Sequence, residues 1–363
     1  MKKSLLALAV LGAFAGAASA QSSVTLYGLV DMGFQRNDPK ASGVTSVNRL
    51  VSGVQSGSRW GLRGSEDLGG GMRAIFTLES GVNVDDGSSG QGGLLFGRQA
   101  FGGLAGGFGQ VTFGRQMVVG AAVSTIADPF GNGFGMAAYS TTSRSGAPLR
   151  INNLALYSTP NLGGFVFMGG YFFGELAGAS SSRSSGYSVG AMYTAGPLSL
   201  GASLENVDKN TLILSGLNDQ RHLNLAASYD FKVARIHLGY VDEKNVGGTG
   251  TAKEQDEKGW VVGFTVPLAG GNVLASYQTD DIESSGSTVT DGKQKVWALG
   301  YTYPMSRRTN LYFAYASANA QFVRGSTTAG DTSSNTTILS SFNQTTTTNG
   351  GGSQISLGFR HSF

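Results

Sequence analysis

The residues able to do chemistry in this chain are few and mostly basic. In the stretch 58–71, SRWGLRGSEDLGGG, Arg59, Gly61 and Arg63 share one phase of a period-two pattern and Trp60 and Leu62 share the other. On an extended strand, alternate residues face opposite sides, so the two arginines project together, away from the apolar face. Arg73 falls in phase with Thr77 and Glu79, Arg98 stands in GRQAF, and Arg150 opens RINN. Arginines gathered on one wall would hold anions. Nucleophilic or acid–base catalysis would need more. The only histidines are His222, His237 and His361. His222 and His237 fall on the polar phase of consecutive extended segments separated by a turn near Lys232. They could face each other as a hydrolytic pair or serve as two lumenal polar residues. No HExxH or cysteine pattern suggests a metal, and no cofactor is implied. The spacing Gly131-x-Gly133-x-Gly135 lacks the Lys-Ser/Thr of a phosphate-binding loop.

The elements that must position these residues are strands. Leu223, Leu225, Ala227, Tyr229 and Phe231 are in phase, as are Trp260, Val262, Phe264, Val266 and Leu268, and Trp297, Leu299, Tyr301 and Tyr303. The opposite phase is mostly Gly, Ser, Thr, Asn, His and Arg. The chain closes on Ile355, Leu357, Phe359, His361 and Phe363, an alternation kept to the last residue. Free termini fray, so a strand paired to its last residue points to a sheet closed on itself. Short turns near 67–71, 106–108, 196–197, 232–234, 269–271 and 305–309 alternate with eight longer polar stretches: 37–56, 83–93, 118–149, 174–186, 207–219, 244–257, 281–293 and 319–352. Eight long loops joining hairpins predict a 16-stranded antiparallel transmembrane β-barrel, with aromatic residues at the ends of the strands as interface girdles. In hydrocarbon every backbone group must be paired, which a closed barrel achieves.

Composition agrees. Gly is 57 of 363 residues and there is no cysteine, so a protein exported from the cell is held without disulfides. No stretch after the N-terminal leader approaches 18 consecutive apolar residues. The chain begins MKKSLLALAVLGAFAGAASA: Lys2 and Lys3, an apolar core, and Ala18-Ser19-Ala20 predict a signal peptide over 1–20, leaving a transmembrane β-barrel over 21–363. Without Lys2 and Lys3 there remain 24 Lys and Arg against 23 Asp and Glu. With no basic run, this balance argues against nucleic acid as a partner.

VTLYGLVD near the mature start, SRWGLRGSEDLGGG, GRQAFGGLAGGFGQVTFGRQ at 97–116 and the terminal Phe resemble the general-diffusion porins of Gram-negative outer membranes, the neisserial and β-proteobacterial branch above all. The resemblance implies an outer-membrane channel, and not an enzyme, through which ions and small hydrophilic solutes diffuse passively. It also implies a homotrimer among outer-membrane lipids and lipopolysaccharide, with loop 83–93 reaching over a neighbour. Phe359, His361 and Phe363 would be the signal read by the barrel-insertion machinery, and loop 118–149 would fold inward to narrow the lumen. The wall arginines it matches would be Arg59, Arg98 and Arg150, to which strand phase adds Arg63. The sole carboxylate of the narrowing loop is Asp128, against Arg144, so the expected field is positive and the expected preference is for anions. A solute-specific channel, an outer-membrane hydrolase using His222 and an adhesin presenting 319–352 are the alternatives.

Overall fold

A computed structural model describes residues 23–40, 45–139, 148–174, 185–208, 219–247, 254–284, 291–323 and 350–363. Seventeen strand segments form one antiparallel sheet: β1 (Ser23–Pro39), β2 (Val47–Ser52), β3 (Arg59–Gly69), β4 (Met72–Gly81), β5 (Gln99–Gly106), β6 (Gly109–Met117), β7 (Arg150–Ser158), β8 (Phe165–Phe172), β9 (Gly186–Ala195), β10 (Leu198–Val207), β11 (Gln220–Asp230), β12 (Arg235–Gly247), β13 (Glu254–Leu268), β14 (Gly271–Ser284), β15 (Asp291–Pro304), β16 (Thr309–Val323) and β17 (Gly350–Ser362). β2 and β3 share one position in the barrel. β2 pairs with the second half of β1 (Met32↔Ser52 to Asn37↔Val47) and β3 with the first half (Leu29↔Arg59 to Ser23↔Ser65). The closed wall therefore has 16 positions, as the alternation predicts.

Closure is made between the two ends of the chain. β1 pairs with β17 from Leu29↔Ser362 to Pro39↔Gly352. Phe363 and Gly28 exchange both backbone hydrogen bonds, at 3.0 and 3.2 Å. Only glycine fits at position 28: a Cβ there would lie 2.4 Å from the Phe363 ring and 2.7 Å from the Arg59 carbonyl oxygen. The apolar phase faces outward, where Leu225, Leu238, Trp260, Phe264, Trp297, Leu299, Phe313, Leu357 and Phe359 are all exposed.

The strands run further toward the long-loop end than hydrophobic alternation reveals. β12 reaches Gly247, β13 starts at Glu254, β14 reaches Ser284 and β15 starts at Asp291, all inside stretches that read as loops. There the outward phase turns charged, with Lys258, Asp281 and Lys293, and the hydropathy signal vanishes while backbone pairing continues. In the same way β1 extends to Pro39, and β2 lies inside the stretch 37–56.

The principal helix, α1 (Val119–Ala127), follows β6, and a single 3₁₀ turn (Gly135–Ala137) comes after it. Both lie inside the barrel. Val119, Val123, Ala127 and Tyr139 pack on Ala226, Val241 and Val261 of the wall. Phe130, Phe134 and Met136 pack on Leu274, Val296, Ala298, Tyr312 and Ala314. No helix among the described residues is long and apolar enough to cross a membrane, which says nothing of strands.

Candidate functional site

The segment 118–139 is the inward loop, and its path is set by the wall beneath it. Gly190, Gly201, Gly239, Gly263 and Gly300 stand on the inward phase of β9, β10, β12, β13 and β15. A Cβ on them would lie 2.8 Å from Val119, 3.0 Å from Val123, 2.6 Å from Ala127, 2.6 Å from Pro129 and 2.8 Å from Phe130, respectively. Five glycines thus make a shallow bed, and side chains of the loop lie in it. Wall side chains then fasten the loop. The Val119 N–H donates to Ser188 Oγ at 2.9 Å, the Gly120 N–H donates to Glu205, and Gln278 donates to the Ala137 carbonyl at 2.8 Å. The Met136 N–H donates to Gln354 at 3.0 Å.

His237 belongs to this fastening. Its Nδ1 donates to the Ile126 carbonyl at 2.9 Å, which leaves Nε2 to accept from Thr265 at 3.2 Å. His222 lies elsewhere on the wall, opposite Glu205 and Glu243 in the strand register, with its Nδ1 3.3 Å from Glu243. His237 is opposite Ser228 and Gly263. The two histidines do not face each other, because the register places them six residues apart along β11. The hydrolytic pairing is thereby removed.

Asp128 does not face the lumen. Its carboxylate is buried, and it accepts from the N–H of Phe130 at 2.8 Å, Asn132 at 2.8 Å and Tyr139 at 2.9 Å. It folds the loop on itself, which corrects the expectation of a selectivity carboxylate at the narrowest point. The reason is local: the chain turns back around Gly131, at a positive φ of 62°, and the nearest acceptor for the inward-turned N–H groups is Asp128.

The carboxylate that does meet the arginines is Glu79 on β4. Arg98, just ahead of β5, donates its Nε–H to Glu79 Oε1 at 2.7 Å, Arg59 Nη1 lies 4.0 Å from the same oxygen, and Tyr27 donates to Oε2 at 3.0 Å. Arg150 interacts electrostatically with Arg98, Glu79 and Arg59, and its Nε is buried without a hydrogen-bond partner. Arg360 of β17 interacts with Arg59 as well, and its Nε is also buried without a partner. In the register it is opposite Asp31 of β1, whose carboxylate accepts from Tyr312 and the Ser56 N–H, both at 2.6 Å. Arg59, Arg98, Arg150 and Arg360 therefore form one cationic wall with Glu79 set in it. Arg63 is not in that wall. It lies four residues further along β3 toward the short turn, with its guanidinium carbon 5.3 Å from the centre of the Tyr27 ring.

Sequence reading missed Arg360 and residues 53–58, and it put Glu79 in phase with Arg73 without joining it to Arg59 and Arg98. Between β2 and β3 the chain leaves the wall and meets the loop tip: the Phe134 N–H donates to the Val54 carbonyl, and a Cβ on Gly133 would lie 2.0 Å from the Gln55 carbonyl oxygen. Gly53 and Gly57 within a polar run were the available signal. The terminal residues Phe359, His361 and Phe363 lie exposed on the outer face, and His361 bonds to Thr309 at 2.9 Å. Arg144 and most of 319–352 lie outside the described residues.

A family model described as Gram-negative porin matches residues 7–322. An outer membrane porin protein of Bordetella pertussis is 37% identical over 370 residues, covering 89% of this chain and 95% of that one. Among solved structures, an anion-selective porin from Comamonas acidovorans superposes with a TM-score of 0.71 at 29% identity, covering 94% of this chain and all of that one. The trimer form of OmpT, an outer membrane protein of Vibrio cholerae, superposes with a TM-score of 0.64 at 16% identity, covering 94% of this chain and 99% of that one.

Proposed function

This chain belongs to the Gram-negative porin family, and from that membership we propose that its channel prefers anions, selected by Arg59, Arg98, Arg150 and Arg360. The protein is an outer-membrane porin, a water-filled barrel through which small hydrophilic solutes and ions diffuse, and the proteins it resembles are channels rather than enzymes. The observation that carries the selectivity reading is the cationic wall of four arginines, with Glu79 set in it, Asp31 opposite Arg360, and Asp128 turned away into the loop. At about 10 Å and an effective dielectric of about 20, each uncompensated arginine changes an anion's energy by about 1–2 kcal/mol. Salt screens this, since the Debye length is about 10 Å at 0.1 M. Likeness to the anion-selective porin from Comamonas acidovorans supports the same reading. The test is the reversal potential of the purified protein in a planar bilayer under a dilute KCl gradient. The Arg59→Ser/Arg98→Ser double variant is expected to shift toward cations, and an unchanged ion ratio overturns the assignment.

We further infer that residues 1–20 act as a cleaved signal peptide and that 21–363 form the mature barrel. Phe359, His361 and Phe363 address the chain to the barrel-insertion machinery, a reading supported by their shared outward face at the end of the closing strand. The working unit is a homotrimer in contact with outer-membrane lipids and lipopolysaccharide, which the superposition on a trimeric barrel supports at the level of fold.

A further inference from the structure

Residues 53–58 link β2 to β3 against the loop tip, and Asp31 of β1 marks where they leave the wall. β3 pairs with β1 as far as Leu29, and β2 resumes the pairing at Met32. The backbone of Asp31 is instead met by the excursion. Its N–H donates to Ser58 Oγ at 3.0 Å, and its carbonyl accepts from the Gly53 N–H at 2.8 Å and from Ser58 Oγ at 3.0 Å. The chain thus leaves the wall without orphaning these groups. The Asp31 carboxylate is fully buried and accepts from the Ser56 N–H and the Tyr312 hydroxyl, both at 2.6 Å. Asn310 donates to Gln55 at 2.7 Å. The excursion is therefore held from β1 on one side and β16 on the other.

Its far end touches two of the wall arginines. Arg59 donates its Nε–H to the Gly57 carbonyl at 3.0 Å. A Cβ on Gly57 would lie 2.8 Å from Arg98 Nη1 and 3.8 Å from Arg98 Cζ. The glycines of the bed make room for the loop; Gly57 makes room for Arg98. That guanidinium is bounded on two sides, by Glu79 at Nε and by Gly57 at Nη1. In Arg150 and Arg360 the Nε has no hydrogen-bond partner. Of the four wall arginines, the two whose Nε is fixed are the two beside Gly57. An arginine without such contacts spreads its charge over many side-chain rotamers, and the field it makes at any one point of the lumen falls.

We propose that Gly57 is a specificity-determining position of the channel. Its carbonyl aims Arg59, its missing side chain seats Arg98 against Glu79, and Asp31 and Tyr312 are positioning residues that hold the segment in place. This rests on the reading of Arg59 and Arg98 as anion-selecting residues. Gly57 carries no charge and acts through the two that do. Gly57→Ala drives a methyl group into the guanidinium of Arg98, displaces it from Glu79 and leaves that carboxylate less compensated.

The test is a double-mutant cycle read as reversal potential in dilute KCl. Gly57→Ala is expected to lower the anion-to-cation permeability ratio about twofold or more. Tyr312→Phe should lower it less; it leaves the Asp31 charge in place, so its effect is positional. In the Arg59→Ser/Arg98→Ser background both changes should leave the ratio unaltered, because nothing remains to be aimed. Heat-dependent gel mobility equal to the parent's shows that a variant is folded, and Tyr312→Phe, which keeps its ring, carries the test if Gly57→Ala does not fold. A folded variant with the parent's ratio, where the arginine double variant shifts, overturns the role of Gly57 and leaves the selectivity reading standing. An equal fall in both backgrounds means that Gly57 acts on the shape of the lumen, and also overturns it. If the arginine double variant itself keeps the parent's ratio, the selectivity reading fails and the role of Gly57 fails with it.

Discussion

Glu79 is the residue on which the arginine wall depends. It accepts from Arg98 and Tyr27 and stands beside Arg59, so it holds two guanidinium groups in place while cancelling part of their charge. Replacing one member of a desolvated ion pair costs about 3–5 kcal/mol in a dry interior, and less where one side faces a wet lumen. Glu79→Gln is therefore expected to move the reversal potential further toward anions while lowering the temperature of heat-induced unfolding; a variant with the parent's ion ratio would show that Glu79 contributes nothing to the lumenal field. Asp128 acts on the loop rather than on the permeating ion. Its removal in Asp128→Ala leaves three backbone N–H groups without acceptors, at about 1–3 kcal/mol each. Single-channel records of that variant should show larger current fluctuations than the parent. Burial outweighs the three backbone bonds and raises the Asp128 carboxyl to about 6. For an acid whose folded pKa is raised, the stabilising contribution is complete below the ordinary value near 3.8 and is lost as pH rises through about 6. The parent's current noise should accordingly grow between about pH 4 and about pH 7, while Asp128→Ala stays noisy throughout; a parent record that is flat over this range rejects the coupling.

The element that shapes the pore is the inward loop, and the element that shapes the loop is the glycine bed. Gly190, Gly201, Gly239, Gly263 and Gly300 belong to five different strands, and each is met by the loop within 3.0 Å of where a Cβ would stand. Small residues are required because the loop presses apolar side chains, Val123, Phe130 and Phe134 among them, onto the wall. Gly263→Val would drive its methyl groups into Pro129, whose backbone ring cannot rotate away. Overpacking of this kind costs about 1–3 kcal/mol. The expected outcome is a shifted loop, read as a changed single-channel conductance with the barrel's heat stability largely kept. An unaltered conductance would mean that the loop does not rest on β13.

For the whole molecule, stability comes from a hydrogen-bonded ring of 16 strand positions that has no edge and no disulfide. Such a ring is expected to resist detergent until heat opens it, since every strand position is paired with a neighbour on each side. A trimer of such rings should run in unheated gels as a species larger than the monomer and collapse to monomer mobility after heating. Identical mobility with and without heating, together with no crosslinked species, would count against the trimer.

The barrel, its closure and the direction of Arg59 were legible from period two, because a residue's side of a strand is set by its parity and the outward parity is apolar. Phe363 at the end of an unbroken alternation indicated the seam for the same reason. The strand ends at the rim were not legible, because charge replaces hydrophobicity on the outward phase there while backbone pairing continues. The role of Asp128 required the fold of its own loop, since nothing in ADPFGNGFG states which N–H groups turn inward. The addition of Arg360 to the wall depended on tertiary structure most of all. Arg360 and Arg59 are 301 residues apart, and only closure of the ring through β1 brings the two ends of the chain to one wall. Parity tells a residue which way to face; register and closure decide what it faces.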